Sequence, residues 1–213
     1  MTEAQTVLAV NRYYYKAWRA GKELFPQMMP EYAQLINGIG HPKALALQVD
    51  ADLGSDATNG LASITTTEGT DNVDITEDVL LAGITDLNNV FAPNNDRFIV
   101  FSPASQASLF KVESLKNSLY NATVGSIGGD MGLGYAGSFL GMQAWSSGNL
   151  AAGTNGKKNA IFQRETIAYA EQLSVMTDKS TNIQDGNYEQ FITFMTCGFI
   201  KVKDNHAALV LGK

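Results

Sequence analysis

The chain has 213 residues, 45% of them hydrophobic and only 17% charged, with a net charge of −6 at neutral pH. That length suits one domain, or one body with a smaller lobe, and the charged share lies below the ~25% usual for soluble domains. The acidic balance speaks against a broad basic grip on nucleic acid, a single cysteine excludes an internal disulfide, and no apolar run approaches the ~20 residues that span a bilayer. The first residues scatter Arg and Lys through an aromatic stretch rather than forming a secretory signal, so the expectation is a soluble chain made inside the cell. Shortage of charge is explained either by large contacts between subunits or by a compact surface of uncharged polar groups. Between Ala44 and Asp96 every charged residue is acidic, whereas Arg12, Lys16, Arg19 and Lys22 cluster upstream between Glu3 and Glu23. Two solvated faces account for such a separation; so do two halves of a contact completed between chains.

Val7 to Arg19 is rich in branched and aromatic residues (Val7, Val10, Tyr13, Tyr14, Tyr15, Trp18), which predicts an extended strand. A lone strand leaves backbone groups unsatisfied, and nothing upstream can make a hairpin with this one. The opening therefore reads as the return half of a hairpin whose outgoing half is absent. Pro30 followed by Glu31 predicts a helix start, and Leu35, Ile39, Leu45, Val49 and Leu53 continue at helical spacing. Gly38, Gly40 and Pro42 interrupt it, predicting two helical pieces or a kink near His41-Pro42. Gly54 to Asp71 is polar and rich in Gly and Thr, and reads as a loop or weak hairpin. Asp74 or Thr76 can cap a second helix striped by Val79, Leu80, Gly83, Ile84, Leu87 and Val90–Phe91. Pro93-Asn94-Asn95-Asp96 is a turn.

Phe98-Ile99-Val100-Phe101 shows no alternation and predicts a strand buried on both faces. Ser102 can cap the helix that follows, with Pro103 at its first position, where the missing N–H costs nothing. A glycine-dense belt runs from Gly125 to Gly141, followed by a short strand at Met142-Gln143-Ala144-Trp145 and a polar turn to Leu150. Ala151 to Asn159 reads as a flexible loop and Ala160-Ile161-Phe162 as a short strand, followed by Thr166 to Leu173 and then Ser174-Val175. Phe191, Thr193, Met195 and Cys197 alternate with Ile192, Phe194 and Thr196, a strand pattern that buries Cys197. Ala207 to Leu211 makes a last strand after a turn at Asp204-Asn205. The fold class is α+β, a long helix with mixed sheets.

Few residues carry a signal for chemistry. Gly132-Leu133-Gly134-Tyr135-Ala136-Gly137 spells a dinucleotide-binding pattern, but that mechanism needs a strand before it, a helix after it and an acid ~20 residues on. Here glycines precede it, strand-like residues follow, and the right distance lands on Lys157-Lys158; glycines for tight turns explain it better. Asp50, Asp52 and Asp56 miss the calcium-loop spacing and read as a solvated face. His41 and His206 with one cysteine are too few for a typical zinc site. Tyr13-Tyr14-Tyr15 beside Arg12 and Lys16 has the composition to stack bases, yet packing on a neighbouring strand explains it more simply. No catalytic residue, cofactor or metal is expected.

The order Arg97, apolar strand, Ser102-Pro103, helix, glycine belt, strand, then Ser146-Ser147-Gly148-Asn149-Leu150 resembles the major capsid proteins of tailed bacteriophages, the Hong Kong 97 type. Pro30 to Leu53, ending Ala44-Leu45-Ala46-Leu47-Gln48-Val49-Asp50, looks like that family's long spine helix. Val7 to Leu24 looks like the returning strand of its extended loop, and Phe191 to Leu211 like the closing strands of its peripheral domain. The resemblance implies four segments: an extended-loop remnant over 1–22, a peripheral domain with the spine helix over 23–74, an axial domain over 75–187, and closing strands over 188–213. It implies no enzyme activity. The implied role is a coat protein that assembles with itself, as hexamers and pentamers, into an icosahedral-type shell around a double-stranded DNA genome. Assembly would take place in the host bacterial cytoplasm, with portal, scaffold or decoration proteins as partners, packaged DNA held without specificity, and no membrane. Family members carry an amino-terminal arm and the outgoing strand ahead of this point, so the resemblance also implies a truncated, processed or reduced chain. Some members cross-link Lys to Asn; Lys16 and Lys22 lie in the matching stretch but read as surface lysines. Arg12, Lys16, Arg19 and Lys22 are expected to meet a neighbour's Asp50, Asp52 and Asp56. An encapsulin-like nanocompartment shell is the alternative within the fold, and a nucleotide-binding enzyme using Gly132–Gly137 a remote one outside it.

Overall fold

A computed structural model describes residues 6–21, 36–112, 134–139, 141–182 and 187–213. The predicted helix start at Pro30 and the glycine belt as far as Leu133 lie outside them. The chain divides into two compact units, Met1–Asp50 with Tyr169–Phe199, and Ala51–Ala168 with Ile200–Lys213.

The second unit is built on a six-stranded sheet of β2 (Thr67–Gly69), β3 (Arg97–Phe101), β4 (Gly134–Phe139), β5 (Met142–Ser146), β6 (Lys157–Gln163) and β9 (Ala207–Gly212). The spatial order is β2-β9-β6-β3-β5-β4, with β2–β9 and β3–β5 parallel and the remaining pairs antiparallel. Successive side chains on a strand point to opposite faces, and β9 shows it. Ala208 and Val210 join one apolar cluster with Ile99, Phe101 and Ile161, while Ala207 and Leu209 join another with Leu61, Ile64 and Ala160. The first face is covered by a helix, α2 (Glu77–Asn89), through the fully buried Leu80 and Leu87; burying each such side chain is worth about 1.5–3 kcal/mol. The helix comes close because Gly83 faces the sheet: a Cβ there would sit 3.1 Å from Ile161 Cδ1. Glu77 and Asp78 in its first turn suit the helix dipole. Thr76 is the N-cap residue without a side-chain bond, and Asp74 is occupied by Lys111 at 2.6 Å and Lys213 at 2.9 Å.

The strand at Arg97–Phe101 buries only one face fully; Phe98 and Val100 are half-buried, because α2 covers the opposite face. Gly54 to Asp71 is more than a loop: its 3-10 turn, Leu61–Ser63, fills the second cluster, and Thr67–Gly69 pairs with Leu209–Leu211. Ala151 to Asn159 is pinned, with Gly153 N–H on Gly156 O (2.8 Å) and Asn155 N–H on Asp71 Oδ2 (2.7 Å). A side chain at Gly153 would collide with Asp71, its Cβ falling 2.1 Å from Oδ1.

The stripe predicted on α2 also stops early. The helix ends in a Schellman motif, Phe91 N–H bonding Asn88 O (3.0 Å) and Ala92 N–H bonding Leu87 O (3.0 Å). Phe91 takes the left-handed position, φ 56°, where glycine is the usual residue. Ala92 turns in against the core, and Val90 and Phe91 face solvent. Arg97 fixes this turn: its buried guanidinium donates to Asn88 Oδ1 (2.9 Å), Pro93 O (2.9 Å) and Ala92 O (2.7 Å).

At the other end of β3, Ser102 Oγ accepts from Ser105 N–H at 3.0 Å and caps α3 (Pro103–Leu109), as its sequence predicts. Asn159, fully buried, braces this corner: its Oδ1 accepts from Ser102 N–H (2.7 Å), and its Nδ2 donates to Val210 O and Ser105 Oγ, each at 3.0 Å.

Candidate assembly surface

In the first unit three long strands make a second sheet, with β8 (Tyr188–Lys201) between β1 (Arg12–Gly21) and β7 (Ile167–Asn182). The opening strand is therefore no orphan. It pairs antiparallel with β8 over its whole length, from Arg12 opposite Cys197 to Gly21 opposite Tyr188. Gly198 lets the residues ahead of β1 pass close by, since a Cβ there would lie 2.2 Å from Ala9 O.

The alternation read from Phe191 to Cys197 sorts this sheet into two faces. On one, Phe191, Thr193, Met195 and Cys197 are buried. Their partners on β1 are Trp18, Lys16, Tyr14 and Arg12. Trp18 stacks on Phe191 at 5.2 Å between centroids, a contact worth about 0.5–1.5 kcal/mol beyond its area. The helix α1 (His41–Ser55), which follows a π-turn at Ile36–Gly40, packs Leu45 and Val49 against Met195, Cys197 and Tyr14. Ile39, in that turn, is exposed rather than part of the helical stripe. His41 Nδ1 lies 3.2 Å from Thr193 Oγ1, and burial together with the Lys16 charge pushes its pKa below the ordinary value. Tyr169 is pushed up to about 12, mainly by burial and then by its contact with Cys197, so its phenol stays protonated.

The opposite face carries exposed and half-buried side chains. Tyr13 and Tyr15 are 57% and 65% exposed, stacked at 5.9 Å, with Tyr13 tilted on Phe194 at 6.1 Å. Tyr15, Tyr13 and Ala17 pair across the strands with Phe194, Thr196 and Ile192. The guanidinium of Arg19 lies over the Tyr188 ring at 5.3 Å. This face offers aromatic area and one arginine, the composition enriched in protein interfaces.

The residues expected to form a charged contact separate here. Arg12 and Lys16 point to the helix-bearing face, Arg12 over the Phe199 ring at 4.0 Å, and Arg19 points to the opposite one. The two-residue period of a strand carries that split, and the count of cations alone hid it. Lys22 lies outside the described residues. Asp50 is exposed on α1; Asp56 Oδ1 accepts from Thr58 N–H (2.7 Å) and Asn59 N–H (3.1 Å), closing the turn after that helix. Among the described residues, no three His, Cys, Asp or Glu gather as metal ligands, and no helix is long and apolar enough to cross a membrane. Gly134–Gly137 lies in strand β4, with a bulge between Tyr135 and Gly137, so these residues open no helix on which a dinucleotide phosphate could rest.

No family model and no curated protein matches this chain. Solved structures do. A chain from Mycobacterium phage Che8 superposes with a TM-score of 0.72 at 17% identity, covering 99% of this chain and 76% of that one. The mature capsid of bacteriophage PhiM1 gives 0.66 at 12% identity, over 96% of this chain and 72% of that one. The fold is the Hong Kong 97-like capsid fold. The same fold is matched in the holo-SrpI encapsulin complex of Synechococcus elongatus, with a TM-score of 0.66 at 11% identity over 96% of this chain and 73% of that one. Within the Hong Kong 97-like fold, the sheet of β1, β8 and β7 carries the exposed aromatic residues, and the turn at Phe91 lies between α2 and β3.

Proposed function

We propose that this chain is a major capsid protein, a structural subunit that assembles with itself into an icosahedral-type shell enclosing the double-stranded DNA of a tailed phage. The observation that carries the reading is the match of nearly the whole chain, 99%, to a Che8 phage chain in a fold shared with phage capsids. A shell uses the same few patches many times through contacts that close into rings. The exposed tyrosine face is suited to such reuse, since aromatic area sets contact energy while costing little side-chain entropy. On this reading the protein is part of the virion, is assembled in the host bacterial cytoplasm, and meets portal, scaffold or decoration proteins. An acidic chain holds packaged DNA loosely rather than gripping it.

Charge contributes to approach and partner choice. Arg12, Lys16, Arg19 and Lys22 of one copy are proposed to meet Asp50, Asp52 and Asp56 of neighbouring copies, with the two faces of β1 turned to different neighbours. Each exposed pair is worth only about 0–1 kcal/mol, so the effect lies in repetition and rate. Reversal of Arg12 and Arg19 to Glu should slow particle formation at low salt; unchanged assembly rejects the pairing.

A second reading, an encapsulin-like compartment enclosing enzymes, is favoured by the match to the encapsulin complex. Electron microscopy of the expressed chain tests both, since each predicts closed particles. Nuclease-resistant DNA inside particles formed with the packaging machinery supports the capsid, and co-purified protein cargo supports the compartment. A chain that stays monomeric at high concentration contradicts both.

A further inference from the structure

Phe91 is the most exposed large apolar side chain described, at 92% of its surface. Two further features make it unlike an ordinary surface residue. It occupies the left-handed position of a Schellman motif, φ 56°, which glycine or asparagine enters cheaply and a phenylalanine does not. Nor can the turn relax easily, because Arg97 is buried beneath it and bonded to Asn88, Ala92 and Pro93. The backbone that carries the ring is thus fixed, with Val90 exposed beside it, so little main-chain entropy is lost when a partner buries the ring.

The surroundings select the partner. From Leu87 to Asn95 the chain has no charged residue, Asn88, Asn89, Pro93, Asn94 and Asn95 are exposed on either side of Phe91, and Asp96 is the one exposed charge that follows. An acidic partner would find no counter-charge on this tip, and a strongly basic one only Asp96. Copies of an acidic chain repel one another, and a nearly neutral tip is where identical surfaces approach at least cost. We infer that the Val90–Phe91 turn is a contact between copies of this chain, with the ring of Phe91 buried by a neighbouring copy. The inference rests on the shell reading above and adds to it a named anchor.

A cysteine scan of one position tests it. Cys197 is fully buried, so in Phe91→Cys a maleimide reads position 91, with the wild-type chain as the blank. Labelling should be fast in dispersed chains and at least about tenfold slower in particles, where a neighbour excludes solvent. Phe91→Gly separates fold from contact. Removal of the ring and the backbone strain should leave the thermal midpoint of the dispersed chain unchanged or raised, while the concentration needed for assembly rises about tenfold. If Phe91→Cys fails to assemble while its dispersed form melts like wild type, the contact is supported. Particles that label freely at position 91, with an unchanged threshold for Phe91→Gly, overturn the contact and leave the shell reading standing. A wild-type chain that forms no particle overturns both.

Discussion

Arg97 offers the sharpest test of how the fold is held, because one side chain ties a helix end to a central strand. In Arg97→Met the aliphatic stem is retained and the guanidinium lost. Asn88 Oδ1, Pro93 O and Ala92 O then lose donors at 2.9, 2.9 and 2.7 Å. Bonds to a charged group contribute about 1.5–3 kcal/mol each, but they share one donor and the exposed acceptors recover water. The net loss should be about 3–5 kcal/mol, from neutral acceptors left without donors at about 1–3 kcal/mol each, partly offset by the desolvation that the buried guanidinium no longer costs. Arg97→Lys keeps the charge without the planar fork and should cost about 2 kcal/mol. Urea unfolding can be followed by Trp145 fluorescence in a Trp18→Phe background, since the chain has 2 tryptophans. For a chain of this size the Met variant should also melt roughly 6–20 °C lower. A loss below about 1 kcal/mol would refute the reasoning, because it would mean the turn is held without those bonds.

Three further outcomes follow from the same geometry. His41 has a pKa lowered by burial and by Lys16, so the unfolded chain binds more protons. Stability should be full above pH ~6.5, fall as pH drops below it, and lose that slope in His41→Gln when urea midpoints are compared. Glu68 is shifted the opposite way, by burial first and then by the Asp86 carboxylate with which it shares a hydrogen bond. Its contribution is present below the usual glutamate range and lost as pH rises through the raised value, so Glu68→Gln should melt higher than wild type at pH 8. At Gly83 two effects compete: alanine gains about 1 kcal/mol of helix propensity but must shift Ile161 Cδ1, 3.1 Å from the new Cβ. Gly83→Ala should be near neutral and Gly83→Val destabilising by about 1–3 kcal/mol in the same unfolding assay.

What could be read in the sequence was what local chemistry dictates. Ser102 before Pro103 caps its helix because both preferences act within one turn. Phe191 to Cys197 alternates because one face of the strand packs on α1. The order of elements of the Hong Kong 97-like fold was legible for the same reason, as a succession of such local signals. Non-local pairing was not: the partner of β1 lies at Tyr188–Cys197, far along the chain, so a well-paired strand looked orphaned. Thr67–Gly69 is too short and polar to show a period, and enters the sheet because Leu209–Leu211 offers it an edge. The stripe on α2 ran one turn too far because an apolar count does not register where a helix stops, and Phe91 at the terminating position gives no glycine to mark it. The split between Arg12, Lys16 and Arg19 was available from parity alone, once Tyr13 to Trp18 was taken as a strand. The role of Arg97 was not, since its acceptors are mostly main-chain oxygens that no side-chain pattern reveals.

If copies of this chain close into a shell, as proposed, sedimentation velocity across a range of concentrations should show a fast, narrow boundary of uniform particles that appears above a threshold and grows at the expense of slow subunits. A single slow species, with the mass of a lone chain at every concentration, would contradict it.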